Sequence, residues 1–557
     1  MWRHLAVLAV VLAVVVALTL PREAATSDEG AYGLEVRALR AGSWDAGYRF
    51  ATQDPTAAYY PYINAEATED GFFPLARQPV YEYALSRATD ALGETAGLHL
   101  LPVLGALAAA LAAWIVAGLV DRRLRPWAFW LAATSPLLVN ATITWAHALA
   151  AGAGGAAVAG GAMVLAPGAL PAASRRSAGA AWLLLTAGLA TGVVIRTEGI
   201  LFAAAVLVVL AVWSRRSRAR LAGLAAGATA VGGAWIAQRA WHASIIGSGR
   251  RPGIAPLGGR GGWLSGRRSA LWSDLFNGGY GERWPAFLGL ASFLLLLLAG
   301  VAASRRAPNW ERDVKAFGAL AALLWVGRLA AAPHDWTAGL LPAWPVAALA
   351  VIVMLDRRGS PVERFLVVVT VTFAALVILV DYPEGGGLQW GGRYLSAAIV
   401  PIAVLTAAGL HRVVRPVLVG LSGWRSGAAV GVAVALAVGP SLAGLAVVRN
   451  QRATHGAAVR AVFAEADAGV VVTTLPALPR VAWRSWPRVT WLLASEADMA
   501  GAAAVVAAAG LDDFRAVTGD VRPAPVVDGW QSDDSTVVVT DAGTVLRITT
   551  YDRRPSA

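Results

Sequence analysis

Asp28 and Glu29 stand side by side in "TSDEGAY" (26–32), just after the apolar run "LAVLAVVLAVVVALTL" (5–20). Acidic residues contribute little to the orientation of a membrane helix, so the pair calls for another use. A helix starting at Ser27 would hold both carboxylates in its first turn, where the dipole favours negative charge. A carboxylate at a membrane surface can also act as a general base and take a proton from an incoming hydroxyl. A second set of residues suits phosphate. The stretch "GRRPGIAPLGGRGGWLSGRRSALWSDLFNGGYGER" (249–283) carries Arg250, Arg251, Arg260, Arg267, Arg268 and Arg283. Guanidinium forks match phosphate oxygens in pairs, although anionic headgroups would attract the same loop.

Shorter motifs extend the inventory. "TITWAHALAAG" (142–152) contains His147, either a polar helix end or a catalyst. "VIRTEGILF" (194–202) sets Arg196 and Glu198 in a tight turn, as a capping ion pair or as polar groups facing a site. "DYPEGGGLQWGGRYLSAAIVP" (381–401) brings Arg393-Tyr394 to the start of an apolar run, where they can anchor a helix or hold a phosphate.

The elements that must position these groups are membrane helices. The 557 residues are 57% hydrophobic and only 15% charged, with mean hydropathy +0.56, which excludes a water-soluble protein. Net charge is +12, but the arginines fall in short clusters between apolar runs, the pattern of inside-facing loops and not of nucleic-acid binding. Cysteine is absent, which rules out disulfides, thiolate metal sites and a cysteine nucleophile. Abundant Gly and Ala suit close-packed membrane helices.

Apolar segments lie near 5–20, 99–120, 127–145, 147–166, 180–195, 199–213, 221–240, 285–303, 315–332, 338–355, 362–380, 394–410 and 427–447, about thirteen spans of near-bilayer length. Residues 1–20 have the basic start and apolar core of a signal peptide. "PREAAT" (21–26) is not a small-x-small cleavage site, however, and the run reads as an uncleaved first helix. The basic loops 121–126, 174–176, 214–220, 304–315, 356–364 and 411–416 alternate along the count, which puts them and the N-terminus in the cytoplasm of a multi-pass protein of the cell membrane. Facing out are 21–98, the turns near 146 and 196–198, loops 241–284, 333–337 and 381–393, and everything after 448. In the first of these, the helix from Ser27 is expected to turn Leu34 and Leu39 to the membrane and Arg37 and Arg40 to headgroups. Its second helix begins "RQPVYEYALSRATDALG" (77–93), with Pro79 at the first helical position and Tyr81 and Tyr83 in an interfacial belt.

The fold class is thus mostly α, a polytopic membrane bundle over 1–448 that includes outer loop 21–98. A small extracytoplasmic α/β domain follows over 449–557. In it "AAVRAVFAEADAG" and "DMAGAAAVVAAAGL" read as helices, "VVVTTLP" as a strand, and "STVVVTDAGTVLRITTY" as a hairpin turning at Asp541-Ala542-Gly543. No internal repeat is visible, which counts against the duplicated halves of many transporters.

Over residues 1–412 the sequence resembles the GT-C superfamily of polytopic glycosyltransferases, particularly bacterial relatives of protein mannosyltransferases and aminoarabinose transferases. The likeness rests on one span followed by "SDEGAY", on "QPVYEYALSRATDALG" before span two, on "LAATSPLLVNATITWAHALA", on "RTEG" opening span six, on "LFNGGYGERWPAFLGL", and on "GGRYLSAAIVPIAVLTAAGL". It implies transfer of a sugar from a polyprenyl-phosphate carrier to an extracytoplasmic acceptor: glycan, lipid or protein. Asp28 would then be the base in an inverting attack, and Glu29 would position it or the acceptor. Arg196, Arg393 and one or more of Arg250, Arg251, Arg260, Arg267 and Arg268 would stabilise the departing phosphate, supported by Tyr394. Tyr32, Gln78, Tyr81, His147 and Glu198 complete the implied substrate contacts. The resemblance brings no certain cofactor. Several relatives carry an acidic residue where this chain has His147, which leaves use of a divalent metal open. Gly391-Gly392 replace the proline that often flanks the late arginine-tyrosine pair. Competing readings are a transporter or lipid flippase, and a non-catalytic cell-envelope assembly protein. Few ionisable residues lie deep in the spans, with Arg328 the main exception, near His334 and Asp335.

Overall fold

The structure, a computed structural model, describes all residues except 21–22, 63–64, 69–70, 74–77, 167–174, 215–216, 247–262, 278–282, 306–308, 334, 356–358, 381–388, 420–422, 464–468, 520–524, 540–544 and 555–557. Among the described residues ten helices are long and apolar enough to cross a membrane, which makes this a multi-pass membrane protein. The other three apolar runs are shorter or broken. The run at 199–213 is the 17-residue helix Glu198–Ser214. That at 127–145 divides into Arg125–Ala133 and Leu137–Asn140, and that at 338–355 into Leu340–Ala343, Pro345–Ala347 and Ala348–Leu355. Pro136 and Pro345 sit at the breaks, where proline's missing N–H and ring clash stop a helix.

The chain divides into two compact units. The first comprises 1–18, 99–238 and 259–447. Its helices approach closely because glycine lets them. A Cβ at Gly160 of His147–Leu165 would lie 2.4 Å from the Leu185 nitrogen, and one at Gly188 of Arg175–Ile195 would lie 2.6 Å from the Ala153 oxygen. Val206, Phe365, Val400, Ala403 and Leu405 are buried in the resulting core.

The second unit comprises 19–98, 239–258 and 448–557. It holds helices Ser27–Arg40 and Pro79–Leu92 and a short antiparallel pair, β1 (Glu66–Ala67) and β2 (Phe72–Phe73). A five-stranded sheet is formed by β3 (Val470–Thr473), β4 (Thr490–Leu493), β5 (Asp513–Thr518), β6 (Trp530–Val539) and β7 (Val545–Arg553), in order β4-β3-β5-β7-β6. β3 runs parallel to β4 and β5, while β7 is antiparallel to β5 and β6. The turn expected at 541–543 lies outside the described residues. Helix Met499–Ala508 covers one face through Ala502, Ala503 and Val506. Phe50, from the first long loop, is fully buried in that same core, and the Leu493 N–H donates to the Tyr59 carbonyl at 2.8 Å. Loop and C-terminal stretch thus share one hydrophobic interior.

Candidate active site

The helix of the acidic pair begins at Ser27, with Thr26 as its cap: the Thr26 hydroxyl accepts from the Glu29 N–H at 3.2 Å. Glu29 reaches back, one carboxylate oxygen accepting from the Ala25 N–H at 2.6 Å and the other meeting Arg452 at 2.5 Å. Arg452 also donates to the Thr19 carbonyl at 2.6 Å, and both charged side chains are buried. Asp28 is half-buried in the same first turn.

Protein covers part of the surface that the sequence assigns to lipid, at Leu34 and Arg37, while Leu39 is half-buried and Arg40 is exposed, paired with Asp90 at 2.9 Å. A Cβ on Gly30 would lie 1.9 Å from the Arg480 carbonyl oxygen, and one on Gly33 2.6 Å from the Trp483 indole, so these two glycines let the helix seat directly on residues 478–486. Arg37 lies over the Trp483 ring at 4.9 Å and donates to the Trp483 and Arg484 carbonyls, and Leu34 is buried in protein. Tyr32 packs edge-on against Tyr81, with centroids 5.4 Å apart, and Gln78 is the buried residue before helix Pro79–Leu92. Nearby, burial pushes the Tyr62 phenol above its ordinary range, with the Arg480 guanidinium, 5.3 Å from its ring, pulling the other way.

The first unit brings the other candidates together. Arg196 and Glu198 form a bidentate pair at 3.0 and 2.5 Å. The Arg196 guanidinium carbon is 5.7 Å from the Tyr394 ring centre, and that of Arg393 is 5.2 Å away. Arg393 also lies 4.8 Å from the Trp145 ring, Trp145 meets His147 at 5.4 Å, and His147 is 6.1 Å from Tyr394. Two cations, an imidazole and a phenol therefore converge on one cleft, which Ser396 and Phe202 also line. Such a group of donors around a polarised ring system suits a phosphate or other anion.

Backbone handedness aims the late pair. Gly391 and Gly392 have φ of 70° and 60°, a region open to glycine and closed to proline, whose ring fixes φ near −65°. Their N–H groups donate to the Thr337 and Ala338 carbonyls at 2.9 and 2.5 Å. Next to them Gln389 donates to Asp274 at 3.0 Å, both side chains buried. The replacement of proline noted in the sequence is thus built into the turn. Just after Tyr394, Leu395, Ala398 and Ile402 line an almost wholly apolar cavity of about 210 Å³ with Leu340, Met354 and Val371.

Asp28, Glu29, Tyr32, Gln78 and Tyr81 thus belong to one unit, and His147, Arg196, Glu198, Arg393 and Tyr394 to the other. Arg250, Arg251 and Arg260 lie outside the described residues. Arg267 donates to the Ile378 carbonyl at 3.2 Å, and Arg268 is exposed. Sequence reasoning missed Trp145 and Arg452. The first was within reach, two positions before His147 in the same motif, but the second carries no local signal.

No protein-family model and no curated protein matches the chain. Among solved structures it is similar to ArnT from Cupriavidus metallidurans in the apo state, with TM-score 0.53 and 15% identity over 98% of this chain and 97% of that one. It is likewise similar to ArnT from the same organism bound to undecaprenyl phosphate, with TM-score 0.52, 15% identity and the same coverage. Over nearly its whole length, then, the chain has the fold of ArnT.

Proposed function

We propose that the protein is a membrane glycosyltransferase that moves a sugar from a polyprenyl-phosphate donor to a hydroxyl of an extracytoplasmic glycan, lipid or protein. The observation that carries this reading is the convergence of Arg196 and Arg393 on Tyr394, beside an apolar cavity, within a fold shared with a protein crystallised with undecaprenyl phosphate. In this reading the guanidinium groups hold the donor phosphate and the apolar cavity takes the first part of its chain. Asp28 removes the acceptor proton, and the freed oxygen attacks the anomeric carbon from the face opposite the phosphate. The carbon–oxygen bond to the phosphate breaks with inversion, and the negative charge that gathers on the leaving phosphate is stabilised by Arg196 and Arg393. Glu29, fixed by Arg452, keeps Asp28 in position. The N-terminus lies in the cytoplasm, and residues 449–557 form an extracytoplasmic domain.

The test compares the purified full chain with Asp28→Asn and Arg393→Ala, measuring sugar transfer from a panel of polyprenyl-phosphate sugars with a membrane extract as acceptor source. Transfer by the wild type that collapses in both folded variants is expected. Transfer undiminished in both would sink the assignment, and none from any donor would return the transporter and assembly-protein readings.

A further inference from the structure

A larger cavity lies elsewhere in the first unit, away from the cleft around Tyr394. It has a volume of about 580 Å³, and its lining is apolar or small apart from Lys315. Leu296, Gly318 and Leu436 mark its walls, on helices Arg283–Ser304, Trp310–Ala331 and Trp424–Val462. We propose that it is a binding site for an anionic phospholipid, acyl chains in the cavity and phosphate at Lys315.

Three observations carry the assignment. First, from Trp424 to Leu436 the cavity wall runs about 18 Å along one helix, at ~1.5 Å per residue. That is close to one leaflet, half of a ~30 Å hydrocarbon core. Second, one end carries interfacial chemistry. Trp424 is 79% exposed there, and tryptophan and lysine are the residues that settle at headgroup level. Third, Lys315 has no ion-pair or hydrogen-bond partner among the described residues. Lys315 sits in the second turn of helix Trp310–Ala331, at the end of the basic stretch 304–315, and the wall residues Val413 and Val414 lie in the basic stretch 411–416. Basic pockets between membrane helices on that side select anionic headgroups, whereas a zwitterionic lipid would gain little from an added cation.

The full chain, stripped of lipid in detergent, is titrated with phosphatidylglycerol and separately with phosphatidylethanolamine of the same acyl chains, and retained lipid is read by native mass spectrometry. Phosphatidylglycerol should be retained about fivefold better, and Lys315→Gln should remove that preference, as one lysine near an anionic surface implies. Gly318→Phe should lower retention of both lipids by filling the cavity. A Cβ at Gly318 meets nothing within 4 Å, so the new side chain starts without a clash, and an unchanged unfolding temperature of the variant checks that the fold is kept. Equal retention of the two lipids by the wild type overturns the proposal. So does a preference that survives Lys315→Gln, retention indifferent to Gly318→Phe, or a mass showing a second copy of the chain displaced in place of lipid. Displacement of phosphatidylglycerol by an equal concentration of undecaprenyl phosphate would assign the cavity to the carrier instead. Because the readout is lipid mass, the result stands whether or not sugar transfer is detected.

Discussion

Around Tyr394 each polar group has a partner close in sequence, Arg196 in Glu198, Arg393 in Tyr394 and His147 in Trp145, besides the distant rings it meets. The helix Ser27–Arg40 is held the other way, by residues more than 400 positions distant, with Arg452 on Glu29 and the Trp483 and Arg484 carbonyls on Arg37. The contrast follows from the lengths involved. Tight turns between membrane helices bring their own partners, while a helix in a long connection gains a fixed place only when distant chain packs on it. One consequence is a difference in failure. Damage to the cluster should reduce binding of an anion and leave folding intact, whereas damage to the helix should loosen a whole unit.

The largest effect expected is on chemistry. Asp28→Asn should lower kcat by about 10²–10⁴ with an unchanged unfolding temperature, the range for loss of a general base, and a fall confined to KM would refute that role. Next comes Arg452→Met, which strands the buried Glu29 charge and should cost about 3–5 kcal/mol in chemical denaturation. Adding Glu29→Gln should restore most of it, and failure to do so would mean that the pair is not what holds the helix. Arg393→Ala should reduce kcat/KM by about 10²–10³, as for removal of one donor to a developing anion, without moving the unfolding transition; an equal loss of stability would erase the contrast between the two regions. The smallest is Thr26→Ala, about 1 kcal/mol for a lost cap, to be read from the same denaturation curves.

The same contrast explains what could be read in the sequence. The start of the helix at Ser27 was legible because its signals, a threonine cap and two acidic residues, lie within four positions. The surroundings of Arg37 were not, because amphipathic spacing says which face is apolar and not whether lipid or protein will cover it. Gly30 and Gly33 were the available hint, two small residues spaced to admit another chain. The ten long spans follow from hydropathy alone, whereas the runs at 127–145 and 338–355 scored as continuous because apolarity is blind to Pro136 and Pro345. Of the site, the pairs Arg196–Glu198 and Arg393-Tyr394 were visible as motifs, but their meeting at one ring depends on helix packing that spans nearly 200 residues.

Gly391 and Gly392 set a limit on how the cleft can be redesigned. Besides its left-handed backbone, Gly391 has the Pro136 ring 2.3 Å from where a Cβ would go, and Gly392 has the Asp274 carbonyl oxygen 2.5 Å away. A library aimed at a new donor should keep both positions fixed and spend its diversity on His147, Ser396 and Phe202, where a changed side chain alters the cleft without reversing the turn that forms it.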